Sequence, residues 1–428
     1  MLKIIPVALF FLSFFASLVA NAIFRHLSKE NNFLIDSPDK HRKFHKNPTP
    51  LTGGLGISFG IIFSGFFLFF LSENQYSYDL SKDNFLGNDS VKTSQNNSYE
   101  MKTSDDKELI INKINETSFS ITLPNGGKRT YEIGNQGEPI LVSTENIRNK
   151  IYLTNFGIGL IFFTLLVQLS MIFDDLWSLR PALRLSIQAL CVSGLIYVSG
   201  IYIESLGNLL GTGEINLGLF GIPFTIFCIV GMMNAFNMID GLNGLCASLC
   251  LVCFSTIMIM INAGSVPSLF PLILPVGAVV GFLMYNLGIL GDNRTVFLGD
   301  NGSNALGFMC AWILVYFSSE NNSNFAPVTA LWLVAIPFID AVGVMTSRVL
   351  RGVMPHRPGR DHIHHKLLKY GFSPYSIYLI LIALSLVFAI IGLIMNNIFL
   401  VNHYFSFYAF ILACACYYLS TRFIFKNV

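Results

Sequence analysis

Residues 225–261 read TIFCIVGMMNAFNMIDGLNGLCASLCLVCFSTIMIMI. Two continuous apolar runs flank one short polar turn. The runs do not alternate, which excludes the strands of a membrane barrel and predicts two helices in a bilayer. Gly241 and Gly244 break the helix between them. Asn234, Asn237 and Asp240 recur at three-residue spacing, which places them roughly on one helix face. Amide and carboxylate oxygens are hard ligands that suit Mg²⁺ or Mn²⁺. A carboxylate beside hydrocarbon costs about 3 kcal/mol on insertion scales, so its default reading is functional. The structural alternative is a polar seam of interhelical hydrogen bonds.

The rest of the chain extends this pattern. The sequence is 428 residues, 53% apolar and 12% charged, about half the charged fraction of a soluble protein. It predicts an all-α polytopic membrane protein with about eleven transmembrane helices. The spans fall near 4–24, 51–71, 151–173, 183–203, 218–238, 243–262, 266–286, 302–319, 327–347, 376–396 and 403–423. Lys3, an apolar run and Ala20-Asn21-Ala22 imitate a signal peptide, but Arg25 and Lys29 follow the run with the wrong polarity for cleavage, so 4–24 reads as a retained span. The eight cysteines all lie in apolar runs and read as small buried hydrophobes. With the N-terminus outside and the C-terminus cytoplasmic, seventeen Lys/Arg fall on the cytoplasmic side and one, Lys3, on the other. The other nine lie in 72–150, which is too long for the rule to apply. Three regions follow. Residues 1–71 hold two spans and a basic cytoplasmic loop, 72–150 form an exported polar insertion, and 151–428 form a transmembrane catalytic core with a cytoplasmic loop at 348–375. Within the insertion, SFSITLPNGGKRTYEIG (118–134) predicts a β-hairpin about Asn125-Gly126.

That orientation puts three more constellations on the cytoplasmic side with Asp240. Asp174-Asp175 ends one apolar run, and adjacent carboxylates persist where a cation neutralises them. Arg180 and Arg184 follow within reach of a phosphate; a helix-capping pair beside surface arginines is the structural alternative. FLGDNGSN (297–304) places Asp300 in a Gly-rich turn before a helix, where backbone amides favour a phosphate. HRPGRDHIHHKLLK (356–369) gathers His362, His364 and His365 with Arg360 and Lys366, a donor set for a diphosphate or nucleotide sugar. A basic patch for anionic lipid is the plainer reading. The first loop similarly mixes Asp36, Arg42, Lys43 and His45. Asp340, inside the ninth span, either orients Arg348 or the histidine loop or takes part in catalysis.

These motifs, in this order, resemble the polyprenyl-phosphate N-acetylhexosamine-1-phosphate transferases, particularly their bacterial undecaprenyl-phosphate N-acetylglucosamine branch. The residues that carry the resemblance are DD before RPALRLSIQ, NAFNMIDGLNGL, FLGDNGS, PVTALWLVAIPFID and RDHIHHKLLKYG, within 4–71 and 151–396. It implies transfer of sugar-1-phosphate from UDP-N-acetylglucosamine to undecaprenyl phosphate, with release of UMP and a need for Mg²⁺ or Mn²⁺. The glycan begun in this way would be an O-antigen, a common antigen or a related envelope polysaccharide. It further implies Asp300 and Asn237 as metal or diphosphate ligands, and Asp174 and Asp175 as the acidic pair at the lipid phosphate. Asp240 becomes a functional carboxylate. Lys43, Arg184, Asn234, Arg360, His362, His364 and His365 become substrate-binding groups.

The chain departs from the pattern at Asn243, where bacterial members usually carry a second aspartate, and in the long insertion 72–150. The insertion suits contacts with a second copy or with envelope-assembly partners. Another UDP-N-acetylhexosamine or a phospho-N-acetylmuramoyl-pentapeptide donor remains open. The reading from another class is a carboxylate-based ion-coupled transporter, which predicts midplane acids and inverted repeats. Neither is visible, and nothing in the sequence points to nucleic acid.

Overall fold

The computed structural model describes residues 4–38, 47–73, 155–261, 266–319, 325–354, 359–398 and 403–424, with six strands between 91 and 145. Its helices are α1 (Ile4–Asn31), α2 (Gly53–Glu73), α3 (Asn155–Trp177), α4 (Pro181–Ser199), α5 (Gly221–Ile239), α6 (Leu245–Met260) and α7 (Val266–Asn286). They continue as α8 (Gly299–Ser318), α9 (Pro327–Leu333), α10 (Ala335–Leu350), α11 (Ile363–Lys369), α12 (Pro374–Ile398) and α13 (His403–Ile424). A two-residue ribbon pairs β1 (Ile35–Asp36) with β2 (Thr49–Pro50) just before α2. The chain divides into two compact units, Met1–Phe66 with Leu153–Val428, and Phe67–Tyr152.

In the helical unit, six helices among the described residues are long and apolar enough to cross a bilayer, and seven if the bent α9–α10 pair is one span. Helix α8 is the exception that organises the rest. Nearly every residue from Asn301 to Val315 is buried, and it packs against α3, α5 and α6. A helix enclosed by protein can carry Asn301, Ser303 and Asn304 because neighbouring side chains, not lipid, satisfy them.

The ninth apolar run, read above as one span, is two helices bent by 86°. Pro337 explains the break. It lacks an N–H, and its ring would clash with the carbonyl of Leu333, four residues earlier. The chain therefore turns at Val334 (φ −120°, ψ 27°) and restarts as α10. Trp332, Ala335, Ile339 and Phe410 fill the junction of α9, α10 and α13. The Trp332 indole donates to Ser406 Oγ at 3.0 Å and ties α13 to this corner.

Small residues bring α1 and α7 together. Ser13 and Ser17 donate to the carbonyls of Leu274 and Ala278 at 2.7 and 2.8 Å. A Cβ on Gly277 or Gly281 would meet the α1 backbone at Phe10 or Phe14. This is the close approach that small residues allow in membranes. The start of α2 is laced to the segment before α8, with Phe297 N–H on Pro50 O at 2.8 Å and Gly53 N–H on Phe297 O at 2.9 Å.

The second unit is a six-stranded antiparallel meander, β3 (Val91–Ser94) through β8 (Pro139–Glu145), with strands paired in sequence order. Strands β6 (Ser118–Thr122) and β7 (Lys128–Ile133) pair from Thr122↔Lys128 to Ser118↔Glu132. The turn at Asn125-Gly126 lies outside the described residues. A hairpin was expected here; the described sheet has four further strands.

Candidate active site

Four helix ends meet at one end of the bundle. Asp174 and Asp175 close α3, Arg184 lies in the first turn of α4, Asn237 and Asp240 close α5, and Asp300 opens α8. The two adjacent aspartates do different things. Asp174 Oδ1 accepts the Leu179 N–H at 2.8 Å and Oδ2 accepts Arg184 Nη1 at 3.2 Å. Asp175 turns to α8 and takes three hydrogen bonds, from Asp300 N–H (3.0 Å), Asn301 N–H (3.2 Å) and Asn301 Nδ2 (2.7 Å). A carboxylate on the orphan amides of a helix start is a cap reinforced by the helix dipole.

Asp300 is held from both sides yet remains open. Asn237 Nδ2 donates to its Oδ1 at 2.8 Å and to Ser303 Oγ at 3.0 Å. Arg184 Nη1 lies 4.0 Å from its Oδ2, and the side chain is 44% exposed against 6% for Asp174. Of the carboxylates that pair with Arg184, Asp300 therefore presents the oxygen a ligand can reach. Gly299, at φ +76°, makes the turn that delivers it. Gly54 lies so close to Asn301 and Gly302 that a Cβ there would overlap both. Asn301 Nδ2 also donates to Leu51 O at 2.9 Å, anchoring the cap to the start of α2.

Asn234 belongs to a different set. Its Nδ2 donates to Gln188 Oε1 at 2.8 Å, and Gln188 Nε2 donates to Asn304 Oδ1 at 2.7 Å. Asn304 Nδ2 then donates to Asp300 O at 2.8 Å. This amide chain joins α5, α4 and α8 behind Asp300. The structure thus places Asn234 in the interhelical seam, because its donor is taken by Gln188 and by Val230 O.

Asp240 caps the C-terminal end of α5 (φ −73°, ψ 50°). Burial pushes its carboxyl well above the usual range, and the charges of Asp300 and Asp175 push it further. The following turn is pinned by Gly244 N–H on Asn286 Oδ1, while Asn286 Nδ2 donates to Val296 O at 2.7 Å.

The histidine motif forms the start of α11 and reaches the same turn. A Cβ on Gly241 would overlap the His364 ring. His364 is buried, and neither ring nitrogen has a hydrogen-bond partner among the described residues. Burial and the nearby His365 lower it from 6.5 to about 3, so it faces the site as a neutral imidazole. The His365 ring lies 4.1 Å from it, centre to centre, tilted by 46°. His362 Nδ1 pairs with Asp340 Oδ2 at 2.7 Å, and Asp340 Oδ1 accepts the Ile363 N–H at 2.9 Å. Asp340 therefore orients the histidine loop. Arg348 instead pairs with Asp361 at 3.1 Å, within the same loop. Burial opposes ionisation of Asp361, but the hydrogen bond and charge of Arg348, with Arg351 and Lys366, hold its carboxyl below the usual range. Arg360 is exposed at the rim. Lys43, the remaining candidate, lies outside the described residues.

Sequence reasoning missed Gln188, Asn301, Ser303 and Asn304. A signal for three of them was present, since a polar run that continues four residues into an apolar helix needs partners. Oxygen donors from Asp300 and Asn237 fit a divalent cation held by one or two protein groups with phosphates completing the shell. Among the described residues, no three His, Cys, Asp or Glu side chains are grouped to enclose a metal on their own.

Carboxylates, a guanidinium and neutral imidazoles gathered at the ends of apolar helices define an integral membrane enzyme that handles phosphate. The profile of glycosyl transferase family 4 matches residues 157–318. The undecaprenyl-phosphate alpha-N-acetylglucosaminyl 1-phosphate transferase of Yersinia pestis is 33% identical over 57% of this chain and 67% of its own length. The proteins of that name from Escherichia coli K12 and Haemophilus influenzae are 34% and 36% identical, over 57% and 56% of this chain and 67% and 68% of theirs. The chain belongs to glycosyl transferase family 4 and is a sugar-1-phosphate transferase.

Proposed function

We propose that this protein transfers N-acetylglucosamine-1-phosphate from UDP-N-acetylglucosamine to undecaprenyl phosphate at the cytoplasmic face of a bacterial inner membrane. The observation that carries the reading is the meeting of Asp174, Arg184, Asn237 and Asp300 at one end of the bundle. The lysine and arginine asymmetry supports a cytoplasmic location for that end, with the N-terminus outside and about eleven helical crossings. The lipid product would begin an envelope polysaccharide.

An oxygen of the lipid phosphate attacks the sugar-bearing phosphorus of the UDP-sugar. The bond to the bridging oxygen breaks, and UMP leaves with the electron pair. A phosphate monoester is already largely ionised near neutral pH, so the reaction needs little general-base help. Arg184, held by Asp174, steers the attacking phosphate. Asp175 fixes the start of α8 and with it the aim of Asp300. Asp300 and Asn237 would hold Mg²⁺ or Mn²⁺, which supplies charge neutralisation at the diphosphate. The α11 histidines and Arg360 bind the UDP-sugar from the cytosolic side.

Purified protein with radiolabelled UDP-N-acetylglucosamine, undecaprenyl phosphate and Mg²⁺ should yield labelled lipid and UMP, and EDTA should abolish both. Label transfer from a different UDP-N-acetylhexosamine alone would correct the sugar. No transfer from any UDP-sugar by a folded preparation would sink the reading.

A further inference from the structure

We propose that Tyr417 is a positioning residue for the transfer reaction, acting through Asp340 on His362. The inference rests on the assignment of His362 to the substrate loop made above. Tyr417 lies on α13, far beyond the segment that matches the family profile. Its hydroxyl nevertheless donates to Asp340 Oδ1 at 2.7 Å. Asp340 thus receives three hydrogen bonds, from Tyr417, from the Ile363 N–H and from His362 Nδ1.

Each bond fixes something different. The Ile363 N–H is an orphan donor at the first residue of α11, and His362 is the N-cap, with extended backbone (φ −69°, ψ 154°) and no capping bond from its own side chain. Asp340 therefore caps α11 from a neighbouring helix. Its other oxygen takes the Nδ1 proton, which leaves His362 Nε2 as the free ring nitrogen. The carboxylate and the imidazole are only 3% and 6% exposed, so water cannot replace a lost partner cheaply. Without Tyr417, Oδ1 keeps only the Ile363 N–H, and the carboxylate is held by two hydrogen bonds instead of three. A looser carboxylate holds the imidazole plane less firmly, and the aim of Nε2 broadens.

The phenol reaches Asp340 because α10 is cut away beneath it. Gly343, one turn after Asp340, lies under the ring, and a Cβ there would lie 3.4 Å from Tyr417 Cε1. The next carbon of a larger side chain would enter the ring's space. Helix α13 is itself held at this corner by Phe410 and by the Trp332–Ser406 bond. The last helix therefore acts as a brace for the substrate loop.

The test is a double-mutant cycle in reconstituted vesicles, with thermal unfolding followed in parallel. Tyr417→Phe should lower kcat/KM for UDP-N-acetylglucosamine about tenfold, the worth of one charge-assisted hydrogen bond. In an Asp340→Asn background the same substitution should cost less than about twofold, because the partner it acts through is gone. Gly343→Val, which crowds the ring from α10, should reproduce the loss and keeps the test valid if Tyr417→Phe folds poorly. Equal losses in both backgrounds would reduce Tyr417 to helix packing and overturn the proposal. So would full activity of a folded Tyr417→Phe alongside a dead His362→Ala. If His362→Ala itself is fully active, the loop assignment fails, and the brace fails with it.

Discussion

Asp175 offers the sharpest division between holding the site and reacting in it. Its carboxylate receives three hydrogen bonds from the first turn of α8, at 3.0, 3.2 and 2.7 Å. Asp175→Asn keeps the shape but replaces one acceptor oxygen with an NH₂ that faces other donors. At least one bond to a charged acceptor is lost, worth about 1.5–3 kcal/mol. Loss of the charge at the helix start is offset by relief of its burial and of its repulsion with Asp300. The expected destabilisation is therefore at most about 1.5–3 kcal/mol, visible as a drop of several degrees in the unfolding midpoint. Turnover should fall as well, because Asp300 opens the same turn and a displacement of about 1 Å at a positioned group can cost about a hundredfold. The assay is paired: thermal unfolding in detergent, and labelled-lipid formation at saturating Mg²⁺. Lost turnover with an unchanged midpoint would refute the capping account and place Asp175 in contact with the reacting phosphate.

Acid should destabilise the substrate loop through His364. Its ring is held neutral down to about 3, while the unfolded chain takes up a proton as pH falls through about 6.5. Stability is thus complete above 6.5 and declines toward 3, by up to about 1.4 kcal/mol per pH unit. His364→Phe should flatten the midpoint-versus-pH curve between 6.5 and 5; the same slope in both proteins would remove His364 as its source. Asn243 is exposed in the turn after Asp240, so Asn243→Asp adds negative charge near the candidate metal ligands. It should lower the Mg²⁺ concentration for half-maximal activity several-fold, and an unchanged Mg²⁺ titration would place residue 243 away from the cation. Mn²⁺ binding, read by electron paramagnetic resonance, should be weak with protein alone and tighten when UDP-N-acetylglucosamine is added. Tight Mn²⁺ binding without nucleotide would contradict a shell completed by substrate phosphates.

The helical character and the positions of the helices were legible because continuous apolar runs have one stable answer in lipid. The candidate site was legible for the same reason: Asp174, Asp240 and Asp300 are expensive beside apolar runs, and such expense points to use. What one dimension hid was the partner of each group. Asp174 and Asp175 look equivalent as neighbours, but successive residues on a helix point about 100° apart, so one meets Arg184 and the other meets α8. Asn234 and Asn237 share a face, yet the burial of α8 draws the first into the Gln188–Asn304 seam and leaves the second on Asp300. The bend before α10 was readable from Pro337, which a window of mean apolarity passes over. Tyr417 carried no signal, since a tyrosine near the end of a membrane helix is ordinary.

The charge balance of the site explains why it is built from helix ends. Asp174, Asp175, Asp240 and Asp300 converge, and among the described residues Arg184 is the single guanidinium bonded among them. A polar medium or compensating dipoles must offset such an excess. Two of the carboxylates are offset by backbone: Asp175 by the amides that open α8, and Asp174 by the Leu179 N–H as well as Arg184. Asp240 is relieved by its raised proton affinity. Asp300 takes one amide on Oδ1 and has a guanidinium 4.0 Å from Oδ2. Of the two carboxylates that face Arg184, Asp300 is the more open. Backbone dipoles aimed at its neighbours therefore concentrate the site's demand for positive charge on one exposed oxygen. In a helical membrane protein only the ends of helices offer such unpaired amides, which is why the acids sit at the boundary and not at the midplane.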